Sequence, residues 1–370
     1  MNKIKTNISQ IFSQKLLFWY DNNRRNLPWR AQPGEVSNPY FVYLSEIMLQ
    51  QTVVKTVIPY FLRFIKKWPS IQNLANADFD EISLYWAGLG YYRRAKNLHE
   101  TANLISKNFE GKIPSSKKLL LTLPGIGEYT ASAIIAIAFN KRSNVVDGNV
   151  ERIFSRLFKI EKPIKDTKKE IFNYSEKYLP KKRYGDYAQA LMDLGSLICT
   201  PKSPRCTLCP IIDFCRVGGT VNAKLYPKKQ IKNKKPERFG LFYCLLNENG
   251  DILITINKNQ GLLANMNVLP SVGWYEEKKF TKNLLFIPKE ESLFNLEWKI
   301  IEKKLIHIFT HFKLNISIAV ARIDQSLLLG DESDINRYKF VKTKDLNSIA
   351  LPSLIKKIIK HLQDENIILN

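Results

Sequence analysis

From its start to about residue 216 the chain repeats apolar residues at helix spacing, with short polar breaks and no strand-like alternation. Asn38-Pro39 predicts one helix start, as N-cap and first residue, with Tyr43, Leu44, Ile47 and Met48 along the helix. Phe79 to Trp86 predicts another, closed by the glycine turn Gly88-Leu89-Gly90-Tyr91-Tyr92, with Arg93, Arg94 and Lys96 on the helix that follows. Leu119 to Val150 reads as helix, glycine hairpin, helix, loop, aspartate. Pro124 lacks an N–H, and Gly125 and Gly127 favour left-handed or open backbone, so the chain has to turn there. Ala131, Ile134, Ile135 and Ala138 then follow the i, i+3, i+4, i+7 rule, which buries one face of the second helix. Val150 to Phe158 and Tyr187 to Ile198 are further helical runs.

The composition shifts between residues 217 and 237, where Lys224, Lys228, Lys229, Lys232, Lys234 and Lys235 surround Pro227 and Pro236. That stretch reads as a basic linker. Beyond it the period becomes that of strands: Leu241 to Leu246 and Ile252 to Ile256 flank a hairpin turn at Asn247-Glu248-Asn249-Gly250. Leu305 to Phe309, Leu314 to Ile323 and Tyr338 to Val341 predict more strands, and Leu354 to Leu362 a terminal helix. The expected organisation is an all-α part over 1–216, the linker, and a smaller α+β domain over 238–370, without internal repeats.

At 370 residues, with 45% hydrophobic and 25% charged positions, the composition is that of a globular chain of two or three domains. No apolar run approaches the roughly 18 residues of a membrane span, and the first residues lack a signal peptide pattern, so a cytoplasmic protein is expected. Lys and Arg outnumber acids 57 to 34, a net +23 that suits a polyanionic partner. The chain is rich in Lys, Asn and Ile throughout, so gene base composition is the alternative source of that charge. Free hairpin amides at a helix start suit a phosphate; an ordinary connection between two core helices is the alternative.

Cys199, Cys206, Cys209 and Cys215 form the pattern C-x6-C-x2-C-x5-C. Four thiolates in so short a span can converge on one metal centre, and ligand count alone leaves zinc and a four-iron cluster equally open. Cys244, in a predicted strand, reads as core. Two carboxylates stand out. On its helix Glu46 has Val42, Tyr43, Leu49 and Gln50 as neighbours, a largely apolar face that disfavours the charged form and makes a general acid near neutral pH. A surface glutamate is the alternative. Asp147, followed by Gly148 and Asn149, reads as a helix N-cap, and capping amides favour a carboxylate's ionised form.

With the Leu123–Gly127 hairpin, Asp147 and the cysteine spacing in that order, the chain resembles the helix-hairpin-helix DNA glycosylases of the endonuclease III superfamily. Leu27-Pro28-Trp29-Arg30, the run Leu44 to Thr52 and Gly88 to Tyr92 make it similar, within them, to the MutY family of adenine glycosylases, which act opposite 8-oxoguanine. That resemblance implies two helical subdomains and one 4Fe-4S cluster on Cys199, Cys206, Cys209 and Cys215, with Lys202, Arg205 and Arg216 beside it on phosphate. It implies that Glu46 protonates adenine at N7 and then serves as base toward water, that Asp147 stabilises the oxocarbenium-like sugar, and that Asn149 orients the water. Arg25, Trp29, Gln189 and Met192 would line the base pocket, Gln51 and Tyr91 would fill the gap left by the flipped base, and Gly125 and Gly127 would hold the DNA backbone. Tyr129 stands where lyase-competent relatives have a lysine. A phenol cannot form a Schiff base, so a monofunctional enzyme is expected, with Tyr129 hydrogen-bonded to the sugar or to Asp147.

The last domain resembles the Nudix-like lesion-reading domain of the same family. Phe309-Thr310-His311-Phe312 matches its recognition loop, and Gly261 to Met266 matches another family string, but Asn267 and Leu269 replace two usual aromatics and remove ring packing. No acidic box for magnesium is visible, so recognition rather than catalysis is expected. The implied partner is double-stranded DNA carrying A opposite 8-oxoguanine or G, bound by a monomer in the cytoplasm with the nucleoid. An endonuclease III-like pyrimidine glycosylase with lyase activity, or a silent DNA-binding homologue, are the alternatives.

Overall fold

The structure, a computed structural model, describes residues 2–228, 235–257, 262–264, 266–275, 296–323 and 338–368. The expectations on Lys229, Lys232, Lys234, Gly261 and Asn265 lie outside the described residues. By contact the chain forms two compact units, Met1–Phe79 with Arg93–Lys232, and Asp80–Tyr92 with Asn233–Asn370.

The first unit is built of helices. In chain order they are α1 (Asn2–Asn23), α2 (Pro39–Leu49), α3 (Val54–Lys67), α4 (Ile71–Ala75), α5 (Phe79–Trp86), α6 (Arg93–Asn108), α7 (Lys117–Leu120), α8 (Glu128–Phe139), α9 (Gly148–Leu157), α10 (Ile164–Lys177) and α11 (Tyr184–Leu197). All but the start of α5 falls, by contact, in the second unit. The α2 start is the one predicted: Asn38 Oδ1 accepts from the amides of Tyr40 (2.9 Å) and Phe41 (3.3 Å), and Pro39 occupies the first turn. At its other end Arg94 of α6, itself buried, donates Nη1 to the carbonyls of Ile47 (2.9 Å) and Met48 (2.7 Å). Both ends of α2 are therefore held, so the carboxyl it carries sits at a defined place.

The expectation of one buried face on α8 is corrected. Thr130 to Ala136 and Ala138 are all buried, because alanines and serine let α2 and α11 pack on different sides of the helix. A separate core joins Phe12, Leu16 and Tyr20 of α1 to Val150, Ile153 and Phe154 of α9, Ile171 of α10 and Tyr187, Leu191 and Leu194 of α11. The predicted linker opens as a 3-10 turn, Val221–Leu225, whose Ala223 packs with Val217 and Tyr226 against Cys206 and Cys215. No described helix is long and apolar enough to cross a membrane.

In the second unit a mixed sheet has the order β3-β2-β1-β6-β5, with β4 also paired to β1 and β7 to β2. The strands are β1 (Glu237–Leu246), β2 (Ile252–Ile256), β3 (Asn267–Val268), β4 (Ser271–Tyr275), β5 (Lys299–Ile308), β6 (Lys313–Arg322) and β7 (Tyr338–Val341), followed by α12 (Ser353–Asp364). β1 runs parallel to β6 over its whole length, Glu237 opposite Lys313 through Leu246 opposite Arg322. Its Phe242, Cys244 and Leu246 face a core shared with Leu354, Ile355, Ile358 and Leu362 of α12, so Cys244 is core as expected. β5 starts six residues before the expected Leu305, since a register shift between Ile301 and Leu305 breaks the alternation that would have marked it. β3 and β4 were not foreseen: two residues give β3 no periodicity, and Gly273 interrupts β4.

Asn267 and Leu269 do not leave the domain short of packing. Leu269 is fully buried in the core, and Asn267 Nδ2 reaches the Ala350 carbonyl at 3.4 Å. The ring packing comes instead from Trp274, whose ring centroid lies 5.8 Å from Phe242, 5.9 Å from Phe309 and 6.3 Å from Phe312.

Candidate active site

Glu46 is 6% exposed, on a helix that is apolar almost all round. Burial raises its pKa from 4.5 to about 7, with the Asp147 charge adding to the rise and a hydrogen bond from Tyr129 and the charge of Arg30 opposing it. The hydroxyl of Tyr129 serves Glu46, a partner not expected from the sequence, with the Asp147 charge also close. Burial and the two nearby carboxylates push that phenol's own pKa well up, so it remains a donor.

Asp147 caps α9 as its sequence context suggests. Oδ1 accepts from the amides of Asn149 (2.9 Å) and Val150 (2.8 Å), and Oδ2 from the Asn149 side chain at 2.7 Å. Asn149 Oδ1 accepts in turn from Arg152 at 2.8 Å. Both ends of its amide are thus engaged, and a water can use only one N–H and one lone pair. A close approach makes this possible: a Cβ on Gly195 of α11 would stand 2.5 Å from the Asn149 Cβ.

Beside Glu46 lies a cavity lined by Arg25, Trp29, Arg30, Gln189 and Met192 together with Ser45 and apolar residues of α2. The four residues expected around a base are therefore brought together with the expected acid. Trp29 is buried and packs edge-on against Phe61, with centroids 5.3 Å apart. Gln189 Nε2 donates back to the Gly185 carbonyl at 3.3 Å, which leaves its amide oxygen for the cavity.

The hairpin turns at Gly125, with φ +75. Gly127 does not share that need. It is extended (φ −95, ψ −179) as the N-cap of α8, and a Cβ there would meet nothing within 4 Å. Of the hairpin amides, Ile126 donates to the Leu123 carbonyl at 3.2 Å, while α8 has no side-chain cap. Gln51, just past α2, is exposed and left-handed (φ 56).

The four cysteines line one cavity with Arg156, Ile198 and Ile212. Four soft thiols around one space are a donor set that fits an iron-sulfur cluster as it fits zinc. Arg156, buried, donates to Cys199 Sγ at 3.1 Å and to the carbonyls of Thr200 (2.8 Å) and Pro201 (3.0 Å). The flanking cations are not all turned outward. Arg205 hydrogen-bonds the Leu197 carbonyl and Arg216 sits over the Phe158 ring at 6.0 Å, so of the three only Lys202 has no recorded internal contact among the described residues.

In the second unit Phe309 to Phe312 is the tight connection of β5 to β6, closed by the Phe309 amide on the Phe312 carbonyl at 2.9 Å. Phe312 is buried and Phe309 half-buried, which leaves Thr310 and His311 exposed at the tip. Tyr91, half exposed with φ 49, belongs to this unit by contact, and its hydroxyl lies 3.2 Å from Thr310 Oγ1.

Asp193 and Arg152 received no role in the sequence reading. Asp193 is fully buried and holds both Arg25 and Arg30; an acid alone in the apolar run Ala190 to Leu194 signals such a pairing. Arg152 leaves no comparable mark in the sequence.

Residues 44–181 match the HhH-GPD superfamily base excision DNA repair proteins, 199–215 the iron-sulfur binding domain of endonuclease III, and 242–361 the NUDIX domain. An adenine DNA glycosylase of Buchnera aphidicola (from Schizaphis graminum) is 35% identical, covering 95% of this chain and 98% of that one. The human adenine DNA glycosylase is 29% identical over 96% of this chain and 74% of its own. Among solved structures, a thermostable thymine-DNA glycosylase superposes with a TM-score of 0.51 at 28% identity, covering 58% of this chain and 97% of that one.

Proposed function

The chain belongs to the adenine DNA glycosylases, base excision repair enzymes that hydrolyse N-glycosidic bonds, and we propose that it removes adenine mispaired with 8-oxoguanine or guanine, with Glu46 as acid and Asp147 as fixed anion. The observation that carries this reading is Glu46 itself: a carboxyl that titrates near neutrality, on the wall of a cavity lined by Trp29, Gln189 and Met192, with a second carboxylate close enough to raise its pKa.

A flipped adenine enters between Trp29, Gln189 and Met192. Glu46 gives its proton to the base, the C1′–N bond breaks with its electron pair moving onto adenine, and the sugar is left oxocarbenium-like. Asp147, held by two backbone amides and the Asn149 side chain, offers that cation a fixed negative charge. Glu46, now a carboxylate, accepts a proton from the water that adds to C1′, which yields free adenine and an abasic site. Tyr129 is a hydrogen-bond donor and no amine, so strand cleavage is not part of the reaction.

The cofactor is one 4Fe-4S cluster, and the four cysteines of the 199–215 loop are its assigned ligands. When bound it cross-links a segment otherwise made of short 3-10 turns. The hairpin would meet a DNA phosphate with the amides at the α8 start, where a bare Gly127 keeps the approach open. Thr310 and His311, with Tyr91 beside them, would read the lesion base, since a hydroxyl and an imidazole can both hydrogen-bond its edge. We place the protein on duplex DNA as a monomer in the cytoplasm.

The test is adenine release from duplexes with A opposite 8-oxoguanine or G, with E46Q and D147N as controls. Base loss with strands intact until alkali is added is expected. Adenine left in place by cluster-loaded wild-type protein would overturn the reading.

A further inference from the structure

Two arginines that line the base cavity share one buried carboxylate. Asp193 of α11, with no exposed side-chain surface, accepts from the Arg25 amide (3.1 Å) and Nε (2.5 Å) and from Arg30 Nη1 (2.7 Å) and Nη2 (2.9 Å). These four donors saturate its two oxygens. Burial opposes its charge, yet the hydrogen bonds and charges of Arg30 and Arg25 outweigh that and hold its carboxyl below the usual range. The two arginines end up differently. Arg30, 5% exposed, turns both terminal nitrogens onto Asp193. Arg25, 23% exposed, is clamped by its Nε edge, and its terminal nitrogens make no recorded bond among the described residues.

We propose that Asp193 is the positioning residue of the base pocket: it aims the terminal nitrogens of Arg25 at an acceptor edge of the flipped base and neutralises Arg30 so that Glu46 keeps its proton. The proposal rests on Glu46 being the acid. The groups whose charge or hydrogen bond acts on Glu46 are Tyr129 of α8, Asp147 at the α9 cap and Arg30 of the loop after α1, and Arg25 lines the same cavity; Asp193 in turn faces Arg25, Arg30 and Tyr20. Arg30 is the cation that opposes the rise at Glu46, and Asp193 is the counter-ion of both arginines.

Single-turnover adenine release is measured against pH for cluster-loaded wild type, D193N and the double variant D193N/R30Q. Wild type loses rate as pH rises through the Glu46 titration. D193N moves that limb to lower pH and slows release at least tenfold; the double variant returns the limb toward wild type while release stays slow, because Arg25 is still unclamped. A residue that only braces the fold would slow release without moving the limb. If wild type shows no such limb, the Glu46 reading fails. If it does and D193N leaves the limb in place, the role of Asp193 alone is refuted. Should D193N not retain its cluster, R30Q carries the test: the limb moves to higher pH, and no movement overturns the proposal.

Discussion

Arg152 ties Cys199, the first of the four clustered cysteines, to the residue that braces Asp147: its Nε donates to the Cys199 carbonyl at 2.7 Å and its Nη2 to Asn149 Oδ1 at 2.8 Å. The same Nη2 also reaches the Gly195 carbonyl at 2.7 Å and Nη1 the Gly148 carbonyl at 3.3 Å, so one largely buried guanidinium holds four acceptors from α9, α11 and the cysteine loop. Arg156 also serves the Cys199 carbonyl, at 3.2 Å, but each other acceptor left unpaired costs roughly 1–3 kcal/mol where it stays buried. R152Q is therefore expected to slow adenine release tenfold or more and to lose iron faster. Both are read on one preparation, by single-turnover kinetics and the decay of visible absorbance. Unchanged iron retention with unchanged rate would reduce Arg152 to packing.

Tyr129 acts on the pH profile. Its hydrogen bond holds the Glu46 pKa below where burial alone would put it. Y129F removes that bond and keeps the ring, so the Glu46 pKa rises and the alkaline limb of adenine release moves to higher pH. One hydrogen bond of ~1 kcal/mol corresponds to a shift of somewhat under one pH unit. A limb displaced to lower pH would show that the hydroxyl supports the protonated acid instead.

What could be read before the fold was known is what local chemistry governs. Asn38-Pro39 announced α2 and Asp147-Gly148-Asn149 announced α9, because an N-cap satisfies amides two and three residues away. The clustering of the four cysteines was legible for the same reason. For Asp193 the apolar run signals a buried pairing but not the partners, which lie 163 and 168 residues away and are joined only by the packing of α11 beside the loop after α1. Trp274 was not legible either: it is left-handed (φ 69) at the register shift of β4 on β1, beside Gly240, whose missing side chain makes room for the indole. Nor does any pattern in residues 80–92 tell that they group with the second unit.

Gly195 should be intolerant of a side chain. An added Cβ would stand 2.5 Å from the Asn149 Cβ and 3.0 Å from its Oδ1, so either α11 retreats or Asn149 leaves Asp147. G195A is expected to lose about 1–3 kcal/mol of stability by overpacking. Its adenine release should also slow more than global unfolding explains. The check is a rate measured well below the melting temperature, with thermal denaturation alongside; wild-type values in both would mean that the neighbours yield freely.

Glu46 should also be a liability to the folded state at alkaline pH. Its folded pKa, about 7, lies above the unfolded value of 4.5. The unfolded chain therefore releases this proton first as pH rises, and the folded state has to hold a buried charge once pH passes 7. Relative to a neutral residue the site costs nothing below pH 4.5, costs progressively more between 4.5 and 7, and levels off above that. The plateau corresponds to roughly 3 kcal/mol at 1.36 kcal/mol per pH unit. E46Q keeps the shape and an acceptor for Tyr129 but cannot ionise. It is expected to match wild type in denaturant melts near pH 4.5, to exceed it by up to that amount near pH 8, and to be inactive throughout. Equal stabilities at both pH values would mean that Glu46 is hydrated when charged, and the raised pKa that makes it an acid would then have to be abandoned.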